Sequence, residues 1–499
     1  MDQENILIVG LLCLVLVFSA PVFGGTKTAV SSGNYNNAAI WSPSGVPGNN
    51  DDIVIPSGVT VTLNANTINL RDVNIQSGGT LQGDGTGKVL LYGRGGGEDF
   101  RVDGTLNAAG ANAMTVRLNR NSQWAGSGTV NLSSLDIQTR TLIWTAGTTM
   151  NVNLAGAGDP IIGSGTITPL STITFTYNGT SAQLLSSLSG VVYNHLVIAN
   201  SAGVTLQQNL TTTNLLGNLT VSGGGVLKTG NGTNAYAVTG TSGMTLTVAA
   251  SSTLQLGSGT STASAFPGGY STVSLDAAST VEYANSSSAT QTVSLSPTYG
   301  NLTLSGSGTK SVPTGTVTLV GNWTNNSTGT VSFTAPQTVV FSAAATAARS
   351  ISGSAVTSFQ NVTVSNTFGV SLGVNASVAA TLALGANKVT TGSNVMILAS
   401  GASLTRTSGW VNGSLRKSAA TGAPSLTFEV GDASVYAPVT AAFTGVTVAG
   451  TLTASTTAGD HPSIGSSMLS STKSVNRYWT LTNAGTAFGS CDATFAFVS

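Results

Sequence analysis

The chain has 499 residues, of which 40% are hydrophobic and only 7% charged, with 17 basic side chains balancing 17 acidic ones. Disorder requires low hydrophobicity with high net charge. This chain has the reverse, so it can bury a core, and its 62 glycines divide that core among many short strands. A neutral chain offers no field to attract nucleic acid or anionic lipid, which argues against both as partners.

The N-terminus reads as an export signal over residues 1–24. Ile6 to Phe18 is an apolar run containing Gly10, and Ser19, Ala20 and Pro21 follow it. Val22 and Gly24 fit the small-residue cleavage pattern, placing the mature start near Gly25. The first residues carry Asp2 and Glu4 with no Lys or Arg, which leaves a different start open. A retained anchor is disfavoured because the run is short and Pro21 interrupts it. Cleavage leaves 17 basic and 15 acidic side chains and removes Cys13, so Cys491 has no intrachain partner. A long solenoid does not need the disulfides on which small secreted domains lean. The expected location is extracellular or on the cell surface, with no membrane insertion after cleavage.

From Tyr35 to Leu81 the sequence alternates around a Pro-Ser-Gly turn, with Ile53, Ile55, Val59, Val61 and Leu63 separated by polar residues. That pattern predicts strand, turn, strand. The order of Trp41, Val46-Pro47, Asp51-Asp52, Val54-Ile55-Pro56, Gly58, Val61, Leu63, Ile75, Gly78-Gly79 and Leu81 resembles the opening of the G8-type module and of related bacterial surface proteins. The resemblance implies a β architecture and an exported, adhesin-like repeat protein.

Two tryptophan rungs follow. Trp124 in SQWAGSGTVNL and Trp144 in LIWTAGTTMNV stand twenty residues apart, each followed by small residues and an alternating strand (Val130 and Leu132; Met150 and Val152). The phrase GSGTIT at Gly163 repeats GSGTVN at Gly126 without its Trp. About 20 residues is the length of one coil of a parallel β-helix, so Trp124 should lie one rung from Trp144. Three larger units then recur: Thr172 to Ile198, Thr280 to Leu304 and Thr338 to Val364. Each has a strand ending on an aromatic (Tyr177, Tyr283, Phe341), a small-residue stretch, a second aromatic (Tyr193, Tyr299, Phe359) and a second strand. A corner residue precedes the apolar strand at His195, Asn218, Asn301, Asn322 and Asn361, often after Gly. Left-handed backbone and side-chain ladders are the expected reasons for Gly and Asn there. Asn387 follows Asn361 at a longer interval, which predicts an insertion. Residues 25–404 are therefore expected to form a parallel β-helix of ~17–19 rungs, ~80–90 Å long at ~4.8 Å per rung. Tandem Greek-key sandwiches are the alternative.

Near Thr405 charges gather (Arg406, Arg416, Lys417, Glu429, Asp432) and the strands lengthen. VNGSLRK, FEVGD and VNRYWTLTN resemble the β-rich module that follows strand repeats in large bacterial surface proteins. Residues 405–499 are expected to be a β-sandwich-like domain, ending in mid-strand as an incomplete one would.

Chemistry is sparse. The densest charge is Arg94, Glu98, Asp99, Arg101 and Asp103, with Arg117, Arg120 and Arg140 nearby. Paired carboxylates beside cations can serve acid–base chemistry on polysaccharides. No carboxylates are seen to recur at the rung spacing, and a glycine-rich loop kept soluble by its charges is the simpler reading. Asp51 and Asp52 are a weak calcium candidate, lacking a D-x-D-x-D-G loop, and Asx turns are the simpler role. His195 stands at a corner and His461 in a loop. Two histidines and one mature cysteine leave little for a zinc site. The expectation is a structural or adhesive surface spacer without cofactor or catalysis, whose partners are surface glycans or envelope proteins. A polysaccharide lyase or hydrolase using Glu98, Asp99, Arg101 and Asp103 is the alternative. A passive glycan or ice binder using outward Thr, Asn and aromatic residues is the third reading. Oligomeric state is left open.

Overall fold

The structure is a computed structural model that describes residues 24–468 and 470–497. The export segment expected at residues 1–24, with Cys13, lies outside them apart from Gly24. The described chain is almost wholly β: a parallel β-solenoid of about 18 turns, followed by a sandwich-like sheet region.

Each turn gives short strands to different faces, and successive turns pair in parallel. One face of eight strands includes Thr26–Ala29, Asp52–Ile55, Val73–Ile75, Glu98–Val102, Ser122–Ala125, Thr141–Trp144 and Thr166–Thr168. A second face of 11 strands runs from Gly33–Asn34 to Thr272–Leu275, and a 19-stranded sheet begins at Gln183–Leu184. At the N-terminal end Thr26–Ala29 pairs antiparallel with Trp41–Ser42. The buried Trp41 indole there donates to the Tyr35 carbonyl at 2.9 Å.

The alternation of polar and apolar residues explains the strands. Side chains in a strand point alternately to its two faces, so Thr60–Leu63 buries Val61 and Leu63 while its threonines face outward. Stacking such strands turn upon turn yields one continuous apolar core. Trp124 pairs directly with Trp144 on the first face, and their rings lie 6.0 Å apart. A file of aromatics continues on both sides, from Tyr92 and Phe100 to Phe175 and Tyr193.

The equivalence of the following strands is corrected. Val130 faces Val152 and Leu132 faces Leu154, because the turn after Trp144 is longer than that after Trp124. The two GSGT phrases also mark different corners: Val130 lies on the second face, whereas Ile167 pairs with Leu142 on the first.

In each large unit the last strand lies over the first, with Thr174 opposite His195, Thr280 opposite Asn301 and Thr338 opposite Asn361. A unit is thus one full turn plus a strand. The two aromatics of the first unit join through hydroxyls 2.7 Å apart, Tyr177 to Tyr193. Those of the second, Tyr283 and Tyr299, do so at 2.8 Å. The third has phenylalanines, and Phe359 packs instead on Trp323 at 5.1 Å.

The corner positions hold, but for a different reason. Each corner side chain accepts from a backbone N–H of the next turn: His195 Nδ1 from Asn218 at 3.1 Å, Asn218 from Thr245 at 2.9 Å, Asn301 from Asn322 at 3.0 Å and Asn361 from Thr381 at 3.1 Å. They cap the next turn's backbone rather than bonding side chain to side chain. Gly300 and Gly321 do not adopt left-handed backbone; a Cβ there would lie 2.2 and 2.4 Å from the carbonyl oxygens of Asp276 and Gly300. Close approach of the preceding turn requires glycine. The residue over Asn361 is Thr381, so no insertion separates the turns. Asn387 donates to the Val364 carbonyl at 2.7 Å.

The core also takes in a charged side chain. Lys310, 0% exposed, donates to the carbonyls of Asn285 at 2.7 Å and of Gly306 and Gly308 at 2.9 Å each. Burial pushes its pKa down to about 8 against the pull of Glu282; the carbonyl acceptors favour the ammonium.

The parallel ladder continues through Ser403–Arg406 and into Trp410–Ala419. Trp410–Ala419 also pairs antiparallel with Gly450–Ala458, which pairs with Arg477–Ala484. A second antiparallel sheet holds Ser425–Phe428, Val439–Val448 and Ala487–Phe495. Trp479 bridges the two, its indole donating to the Ala437 carbonyl at 2.9 Å and its ring 5.0 Å from Phe495.

Candidate functional site

Glu98, Arg101 and Asp103, singled out in the sequence, gather midway along the first face. Glu98–Val102 forms one strand of that face, so Glu98, Arg101 and Asp103 meet at its outer surface. Arg101 sits between the two acids, donating to Asp103 at 2.5 Å and to Glu98 at 3.2 Å. Glu98 also accepts from Thr145 Oγ1 at 3.4 Å, two turns on. Beside them lies a shallow groove of about 210 Å³ lined by Arg101, Asp103, Ser127, Thr145 and Thr148.

Asp99 is separate from this surface group. It is 1% exposed and accepts from Ser122 Oγ at 2.7 Å, Gln123 N at 3.0 Å and Arg94 N at 3.2 Å. Burial raises its pKa, and those donors oppose the rise. Ser122 and Tyr92 share a hydrogen bond at 3.1 Å, and Trp124 Nε1 donates to the Tyr92 hydroxyl at 2.5 Å. Asp99 therefore anchors the Gly-rich loop to the aromatic file.

The register reveals a column that sequence reading missed. Ile53 pairs with Val73, and Val73 with Phe100. The residues just before them, Asp52, Asp72 and Asp99, thus occupy equivalent places on three successive turns. The expectation that no carboxylates recur at rung spacing is corrected. Their intervals are 20 and 27 residues, and the GRGGG loop supplies the difference. Arg71 donates to Asp52 at 2.6 Å, and Arg94 lies 3.5 Å from Asp72. Arg117 belongs to another face, bound to Asp136 at 2.6 Å.

Asp72 is the unusual member. Its Oδ1 is shielded from solvent with no hydrogen-bond partner. Burial first, and Asp52 second, push its pKa up to about 6, while Arg94 and Arg71 oppose them. Between its ordinary 3.8 and about 6 the folded chain keeps a proton that the unfolded chain has released. Stability therefore falls as pH rises through that window. Asp72→Asn should stabilise the chain at pH 7.5 by about 1 kcal/mol, discounted for a side chain partly open to solvent. The gain should vanish below about pH 3, where Asp72 is protonated in both states. Thermal unfolding of both proteins at the two pH values checks this.

The remaining candidates have structural partners. Asp51 accepts from Gly25 N at 2.8 Å and Gly48 N at 2.7 Å. Among the described residues no group of three or more His, Cys, Asp or Glu is placed to hold a metal ion. His461 accepts from Ser463 N at 3.2 Å and sits edge-on to Tyr478 at 5.0 Å. No helix among the described residues is long and apolar enough to cross a membrane.

Residues 40–92 match the G8 domain family. No curated protein and no solved structure matches the chain. The G8 match overlaps the block read above as G8-like and contains Asp52 and Asp72 of the column.

Proposed function

We propose that the chain is an exported, cell-surface structural protein of the bacterial adhesive-repeat kind, holding binding surfaces away from the cell without catalysing a reaction. The observation that carries this reading is the unbroken core of about 18 stacked turns, a rod whose length is its main product. The G8 match over residues 40–92 is compatible with it. Glu98 and Asp103 are both engaged by Arg101, so neither carboxylate is left free beside the groove to meet a substrate. Neutral surface glycans or envelope proteins are the partners that suit a rod of no net charge.

The cluster of Glu98, Arg101 and Asp103 beside its groove supports a second reading, a polysaccharide-active enzyme using Glu98, Asp99, Arg101 and Asp103. Incubation with a panel of neutral and acidic polysaccharides separates the two. The chain should release no reducing ends or unsaturated products, and the Glu98→Ala, Asp99→Ala, Asp103→Ala variant should behave identically. Turnover by the parent that the variant loses would establish the enzyme instead.

A further inference from the structure

The second face of the solenoid stops before the solenoid does. Its last strand is Thr272–Leu275, paired on one side with Thr245–Val248. Among the described residues no strand pairs with its other side. The inward residues tell the same story. Leu196 and Ile198, Leu219 and Val221, and Leu246 and Val248 are all 0% exposed on the preceding strands. Val273 and Leu275, their counterparts, are only half-buried.

The backbone of this edge is aimed outward. Thr272 N and Asp276 N donate back to Met244 and Val248. In a parallel strand alternate residues bond to opposite sides, so the N–H and C=O groups of Val273 and Leu275 face away from the ladder. The next turn leaves them uncovered because its segment Ser294 to Thr298 contains Pro297, which has no N–H to give a ladder. Between the two lies a groove of about 710 Å³, lined by Val273, Ser274 and Leu275 on one side and Pro297, Val320 and Ala344 on the other. A four-residue strand fills roughly 600–650 Å³, at 3.3 Å per residue, 4.8 Å between strands and 10 Å between sheets. The groove is open to solvent and has room for one such strand.

We infer that this notch is a docking site for an extended, uncharged peptide strand that adds to the edge of Thr272–Leu275. Continuity with the ladder specifies the occupant. Every strand from His195–Ile198 onward on this face presents two apolar residues at i and i+2, and a partner in register presents another such pair over Val273 and Leu275. No charged side chain lines the groove, so a charged residue at an inward position would be desolvated without compensation. Backbone hydrogen bonds provide the affinity and the apolar pair the selectivity, as in strand addition generally. The site does not depend on the surface-scaffold reading.

The test uses a capped, fluorescently labelled peptide with the alternation Thr-Leu-Thr-Val of Thr245–Val248, and a control of the same composition ordered Thr-Thr-Leu-Val. The alternating peptide should bind at least tenfold more tightly by fluorescence anisotropy and slow amide exchange at Val273 and Leu275. Ala344→Trp, at an exposed position on the far wall, should weaken binding at least tenfold without lowering the melting temperature. Equal binding of the two peptides, or protection elsewhere, would overturn the site. Protection of Val273 and Leu275 by raised protein concentration alone, or by a neutral oligosaccharide and not the peptide, would assign the groove to a second copy or a glycan and overturn the peptide.

Discussion

Trp124→Ala should destabilise the turns around it by about 3–5 kcal/mol, the range for emptying a fully buried aromatic site. Trp124 is 0% exposed and lies between Phe100 at 4.9 Å and Trp144 at 6.0 Å. Its removal also takes the indole N–H from the Tyr92 hydroxyl, at the head of the chain of hydrogen bonds to Asp99. In a quasi-one-dimensional array such a loss spreads to neighbours before it reaches distant repeats. Hydrogen exchange should therefore accelerate in Glu98–Val102 and Thr141–Trp144 while Ala376–Gly385 keeps its protection. Trp124→Phe, which retains most of the volume, should show a smaller change in the same place. Uniform acceleration along the whole chain would refute the local picture.

Lys310→Met should cost about 3 kcal/mol, although methionine matches much of its shape. Three carbonyl oxygens would lose a charged donor, and hydrogen bonds to charged groups are worth ~1.5–3 kcal/mol each. Two of the three retain another partner: Asn285 O accepts from Gly308 N at 2.9 Å, and Gly306 O from Thr328 N at 3.1 Å. That retention holds the loss near the value of one such bond. Urea titration of the two proteins measures it, and an unchanged midpoint would show that the ammonium only replaces apolar packing.

Lys310 also shows how far the sequence could be read. It stands two residues before Val312, so strand alternation places both on the inward side, yet lysine at such a place reads as a surface residue. What admits it is the set of carbonyls from Asn285, Gly306 and Gly308, which are brought together only when turns stack. Trp124 and Trp144 were legible because both identity and interval repeat. The aspartate column was not, because the loop of Gly95 to Gly97 lengthens one interval and hides its period. The corners were located correctly from Gly-Asn, but their cause was not. Whether a glycine serves a left-handed turn or yields space to a neighbouring carbonyl depends on the turn beneath it. The end of the second face at Thr272–Leu275 has only Pro297 as its local sign.

The pairing of each turn with the next has a mechanical consequence. Interstrand hydrogen bonds in the solenoid point along the rod, so tension between its ends peels turns apart in sequence instead of shearing many bonds at once. The turn from Thr129 to Asn151 spans 22 residues. Stacked, it adds ~4.8 Å to the rod; pulled out, it extends to about 75 Å at ~3.4 Å per residue. A rod of this construction yields at modest force and lengthens many-fold, absorbing work turn by turn.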